Sequence, residues 1–193
     1  MKVVEEFLVD IEAQDSQRKR VEQYYSYSFY AKQKKQIFSG DDLEGFLPES
    51  MIKDVLQASQ QDYLKHMFKG EGKSASENLI KELSAVLTHQ IYMTGDYIIL
   101  KDQLGEEMYF IIEGQVQVIA SDKTTVLKTL RKGSYFGEIA LFTQNVNRVA
   151  FVQAKTPCII GILRKADVEN IVRSFPNLAK QFKLEALKRM AET

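Results

Sequence analysis

The sequence predicts an α+β fold, a helical N-terminal part followed by a β jelly roll with flanking helices. Three observations predict it. Up to Lys69 the only glycines are Gly40 and Gly45, and apolar residues recur at helical spacing. From Gln90 to Arg164 the pattern changes to short β-rich runs separated by turn signals. Beyond Arg164 helical spacing returns.

The elements follow in order. Val4, Leu8 and Ile11 keep a helical period. "YYSYSFY" (Tyr24 to Tyr30) alternates as a strand would, but its polar flanks "QRKRVEQ" and "AKQKKQ" favour a helix. Pro48 opens "PESMIKDVLQASQQDYLKHMF" as a first-turn residue, with Met51, Val55, Leu64 and Met67-Phe68 at mostly helical intervals. "KGEGKSASE" is a loop ending in Ser74-x-x-Glu77, a capping box for the helix "ENLIKELSAVL". The runs "HQIYM", "YIIL", "MYFIIEGQVQVIA", "VLKTL", "RVAFVQA" and "CIIGIL" make seven or eight short strands, with a hairpin expected at Glu113-Gly114. Val168, Ile171-Val172 and Phe175 share a helix face, Pro176 breaks that helix, and "NLAKQFKLEALKRM" forms another. The domain expectation is a helical segment at 1–70 and a second domain at 71–193, with the roll at about 90–164 and C-terminal helices at about 165–190.

Composition narrows the function. The 26 basic and 26 acidic residues balance, which argues against general nucleic-acid binding. No run approaches the ~20 apolar residues of a membrane span, and the acidic N-terminus is not a signal peptide. The single cysteine, Cys158, indicates a reducing compartment and reads as buried core. With two scattered histidines, His66 and His89, no metal site is expected, and both read as surface or capping residues. No nucleophile–base pair or nucleotide-fold glycine motif is present, so no catalysis and no cofactor are expected.

"GSYFGEIALFTQNVNRVAF" (Gly133 to Phe151) carries the chemistry. Gly137 lets a backbone approach a ligand. "EIALF" can form a helical turn whose amides favour an anion, and Arg148 can add a forked guanidinium. Glu138 is then free to accept hydrogen bonds from hydroxyls, as on a ribose. The competing reading is that Glu138 and Arg148 pair with each other, since buried charges are normally paired.

This stretch resembles the phosphate-binding cassette of cyclic nucleotide-binding domains, with Phe-Gly-Glu-Ile-Ala-Leu, a spacer and an arginine. "TGDYIILKDQLGEEMYFIIEGQVQV" extends the resemblance, which covers about residues 77–193. It implies that Arg148 neutralises the cyclic phosphate and Glu138 binds the ribose 2′-hydroxyl. It also implies that Phe136, Gly137, Ile139 and Ala140 pack around phosphate and sugar. Arg189 falls where relatives place an arginine near the purine, and Met190 can cap the base. Val149 stands where cGMP-responsive members often carry threonine, so cAMP is expected over cGMP. "VEQYYSYSFYAKQKKQIFSGDDLEGFLPESMIKDVLQASQQDYLKHMF" is similar, more loosely, to the C-linker of voltage-gated-like channels of the hyperpolarisation-activated and cyclic nucleotide-gated kind. "KGEGKSASE" departs from the short junction usual there.

The resemblance implies the cytoplasmic ligand-sensing region of a channel, a homotetramer through its linker, with membrane segments preceding residue 1. A soluble receptor of the kinase-regulatory type predicts a tandem domain or inhibitor segment, and neither is seen. A channel domain that no longer binds ligand would lack the cassette arginine and glutamate. Nothing after Met190 supplies a helix-turn-helix, which disfavours a transcription factor.

Overall fold

A computed structural model describes residues 2–33, 45–69, 77–139 and 146–175. The chain divides into two compact units, Met1–Ser39 and Gly40–Thr193.

The first unit contains α1 (Lys2–Asp10) and α2 (Asp15–Gln33). The Tyr-rich stretch is helical, so the polar flanks outweigh its local alternation. Arg18 joins the two helices: its Nε donates to the Ala13 carbonyl at 2.9 Å and an Nη to the Leu8 carbonyl at 3.4 Å. The Leu8 carbonyl also accepts the Ala13 amide at 2.9 Å, so Arg18 braces the turn between the helices.

The second unit begins its described part with α3 (Glu49–Lys69) and α4 (Glu77–Val86). Pro48 lies just before α3, and its carbonyl accepts the Ile52 amide at 3.0 Å. Of the expected α3 face, Leu64 is buried, whereas Met51 and Val55 are exposed. Helical spacing locates a face but not how much of it finds a partner. Ser74 lies outside the described residues, as does the helix expected after Pro176.

Eight strands follow: β1 (Thr88–Tyr92), β2 (Tyr97–Ile99), β3 (Glu107–Glu113), β4 (Gln115–Ile119), β5 (Val126–Arg131), β6 (Tyr135–Phe136), β7 (Phe151–Ala154) and β8 (Cys158–Arg164). They form two antiparallel four-stranded sheets, ordered β1-β8-β3-β6 and β2-β7-β4-β5. The α5 helix (Lys165–Ser174) closes the described chain. The architecture is the expected α+β roll.

The expected hairpin at Glu113-Gly114 does not form. β3 pairs with β8 and β6, while β4 pairs with β5 and β7 in the other sheet. Gly114, at φ +93°, turns the chain between sheets. A Cβ there would stand 2.4 Å from the Pro157 carbonyl oxygen, so the corner needs glycine.

Burial explains the contrasting strand sequences. Between its terminal glutamates β3 is apolar and buried from Met108 to Ile112, because both of its faces are covered. Tyr109 and Ile111 enter the core between the sheets with Val116, Val152, Cys158 and Ile160. Met108 and Phe110 meet Leu64, Leu79, Leu83, Val168 and Ile171 of the helices. In the second sheet Gln117 and Gln153 pair in register, half-buried, between the buried positions of β4 and β7. Its inner face alone is sealed against the core.

Cys158 is fully buried, as expected, and burial raises its thiol pKa. His89 is not the surface residue expected. Its Nε2 is buried without a hydrogen-bond partner among the described residues, and burial lowers its pKa to about 4. The side chain of His66 lies outside the description.

Candidate functional site

A cavity of about 400 Å³ opens between the inner face of the second sheet and the segments on either side of residues 140–145. Phe136, Gly137, Glu138, Ile139, Arg148 and Val149 all line it, so six of the nine residues singled out in the sequence converge on one space. Ala140, Arg189 and Met190 lie outside the described residues.

Backbone bonds place the arginine. The Arg148 amide donates to the Gln103 carbonyl at 2.8 Å, and its carbonyl accepts the Asp102 amide at 2.9 Å. A bridge between Leu104 and Asn147 extends this contact. Arg148 therefore sits before β7, which starts at Phe151, and not inside a strand as "RVAFVQA" suggested. Pairing with the 102–104 loop replaces pairing with a neighbouring strand at that point.

The side chain turns back into the fold. One Nη donates to the Gly137 carbonyl at 3.0 Å and the other to the Glu107 carbonyl at 2.7 Å. The guanidinium carbon lies 5.6 Å from the centre of the Tyr109 ring, within cation–π range. The Tyr109 hydroxyl donates to Glu107 Oε2 at 2.7 Å, and the Tyr109 ring stacks on Phe136 at 5.1 Å. Glu107, Tyr109 and Phe136 thus hold the arginine in place. Motif reading pointed to Phe136 and gave no site role to Glu107 and Tyr109, although both fall in the stretch that extends the resemblance.

Gly137 completes the geometry. Its φ is +79°, and a Cβ would stand 2.9 Å from an Arg148 Nη and 3.2 Å from the Glu107 carbonyl oxygen. Any larger residue would push the guanidinium from its seat.

Glu138 is 2% exposed. Arg148 hydrogen-bonds carbonyl oxygens rather than this carboxylate, so the two charges are not a mutual ion pair. They still feel each other. Burial lowers the arginine's pKa, and Tyr109, Glu107 and Glu138 oppose that shift. Burial raises the Tyr109 pKa, as does its bond to Glu107, so the phenol stays a donor. A guanidinium has five N–H donors, and the two carbonyls use two. The cavity therefore joins a cation with donors to spare and a carboxylate, amid the apolar side chains Ile99, Val118, Leu127, Leu130, Val146 and Val152. This suits a small anion attached to hydroxyl-bearing and flat apolar parts.

Among the described residues no cluster of His, Cys, Asp and Glu is placed to hold a metal ion. No described helix is long and apolar enough to cross a membrane.

Known proteins resemble this chain in sequence. Residues 89–175 fit the family described as cyclic nucleotide-binding domain. Over 189 residues, 98% of this chain, the sequence is 27% identical to human potassium/sodium hyperpolarization-activated cyclic nucleotide-gated channel 4. It is 27% identical over 173 residues to channel 2 of Mus musculus, and 25% identical over 189 residues to human channel 3. The aligned parts are 15%, 19% and 23% of those proteins, so the chain spans less than a quarter of each relative. Residues 89–175 thus match the cyclic nucleotide-binding domain family, within a chain homologous along nearly its whole length to hyperpolarization-activated cyclic nucleotide-gated channels.

Proposed function

We propose that this chain is the ligand-sensing region of a cation channel, binding a cyclic nucleotide on its cytoplasmic side and passing the binding energy to a pore. The observation that carries this reading is the shared cavity, where Arg148 offers unused N–H donors and Glu138 is a separately held carboxylate. Arg148 takes the cyclic phosphate, and Glu138 accepts from the ribose 2′-hydroxyl. Gly137, Ile139 and Ala140 close around phosphate and sugar, while Phe136 supports Tyr109 beneath the arginine. Arg189 meets the purine and Met190 caps the base.

Val149 lines the cavity and has no donor or acceptor on its side chain. It cannot bond the 2-amino group of guanine, which favours cAMP over cGMP by about one hydrogen bond, on the order of 1 kcal/mol. Residues 1–70 act as the linker that assembles four copies and transmits motion. Coupling to the pore is limited by how much better the ligand binds the conducting state. The role is sensing and not catalysis, with no cofactor beyond the nucleotide.

Calorimetric titration tests the site. The wild-type chain binds cAMP, and Arg148→Ala weakens binding by at least about thirtyfold, the usual cost of removing one partner of a buried charge contact. Equal binding by the variant would move the phosphate elsewhere.

A further inference from the structure

Glu107 makes three contacts at once. Its carbonyl oxygen accepts an Arg148 Nη at 2.7 Å, and its carboxylate Oε2 accepts the Tyr109 hydroxyl at 2.7 Å. Its Oε1 lies 4.0 Å from Nε of Arg164, the residue opposite it on β8. The Arg164 side chain is 70% exposed, so solvent screens the pair and the arginine cancels little of the carboxylate's charge. Glu107 does not line the cavity. It reaches a ligand through its carbonyl contact with Arg148, through Tyr109, whose ring lies under that guanidinium, and through the field of its charge. The field is felt at Arg148, where Glu107 favours the cationic form.

We infer that Glu107 is an affinity-setting positioning residue: it fixes Tyr109 beneath Arg148, and its negative charge makes the site hold an anion less tightly than the braced arginine alone would. The inference rests on the reading of Arg148 as the phosphate site. The two effects have opposite signs. As a hydrogen-bond acceptor, the Glu107 side chain keeps the Tyr109 ring where the guanidinium needs it, which favours binding. As a charge, it opposes a phosphate brought to Arg148, because like charges repel strongly where water is partly excluded. Glutamine separates the effects, since its amide oxygen still accepts the phenol and it carries no charge. Arg164 is an independent handle, being mostly exposed and outside the cavity wall. Its removal leaves the Glu107 charge less offset. A carboxylate that lowers affinity shortens the time a ligand stays bound, which suits a sensor that must reset.

The experiment measures dissociation constants of the full chain for cAMP and cGMP, with Glu107→Gln, Glu107→Ala and Arg164→Gln beside the wild type. Glu107→Gln should tighten both ligands about fivefold, the scale of one opposing charge in a partly solvated site. The ratio of cAMP to cGMP affinity should not move, because the phosphate is common to both. The gain should shrink between about 0.05 and about 0.5 M salt, as screening removes the charge effect. Glu107→Ala should bind more weakly than Glu107→Gln, since it loses the brace as well. Arg164→Gln should weaken both ligands about twofold. If Glu107→Gln binds more weakly than wild type, Glu107 is a brace alone and the inference is overturned. Unchanged affinity, or a gain that salt does not reduce, overturns it too. Equal binding by Glu107→Ala and Glu107→Gln overturns the positioning role. Should neither Glu107 variant fold, Arg164→Gln carries the test, and binding by it as tight as wild type overturns the inference. Wild-type protein that binds neither nucleotide would refute the reading of the cavity itself, whereas wild-type binding with any of the other failures would refute only the role of Glu107.

Discussion

Burial makes His89 a source of acid sensitivity in folding. Its buried Nε2 has no hydrogen-bond partner among the described residues, and its pKa falls to about 4 from the ordinary 6.5. The unfolded chain therefore takes up this proton more readily than the folded one between those values. Folded stability attributable to His89 is complete above pH 6.5 and is lost as pH falls toward 4. The full loss is on the order of 3 kcal/mol. Thermal melts between pH 7 and 4.5 should show this slope, and His89→Leu should flatten it. An equal slope in the variant would assign the acid sensitivity to other groups. At the same scale, motif order in the sequence identified Glu138 and Arg148, because a cassette is a local feature. It did not identify Glu107 and Tyr109, which hold the guanidinium from β3, because that contact joins residues 41 apart in sequence.

Among the elements, the β3–β4 corner separates local from distant influence. Glu113-Gly114 between two β-rich runs looks like a hairpin turn, yet the strands enter different sheets. The two runs do not pair with each other: β3 pairs with β8 and β6, and β4 with β5 and β7. Gly114→Ala places a Cβ 2.4 Å from the Pro157 carbonyl oxygen and 2.7 Å from Cys158 Sγ, at positive φ. Steric overlap and backbone strain together should cost roughly 2–5 kcal/mol. Gly95 has a similar φ of +90° but nothing within 4 Å of an added Cβ, so Gly95→Ala should cost only about 1 kcal/mol. Urea titrations of the two variants check the difference. Similar losses would mean that strain alone, and not the crowded corner, governs Gly114.

Across the whole molecule, the cavity belongs to the unit Gly40–Thr193. The helices α3, α4 and α5 pack on one face of the first sheet, and the second sheet presents the cavity wall. A ligand that binds only the folded state stabilises it by about 2.7 kcal/mol at a hundredfold excess over its dissociation constant. For a unit of this size that is a rise in Tm of roughly 5–10 °C. Scanning calorimetry with cAMP should show the rise in wild-type protein and little of it in Arg148→Ala. A rise of the same size in both would place the nucleotide outside this cavity.

The sequence by itself determined the α+β class, most strand positions and the six described residues that meet at the cavity. Those features depend on short-range periodicity and on an ordered local motif. Only the tertiary structure decided which strands pair, where Arg148 directs its hydrogen bonds, and that Lys128 lies in one row with Ile99, Val152 and Val118. The physical reason is register. Alternation says that Lys128 and Leu130 share a face, but only pairing between distant strands makes that face the wall of the cavity.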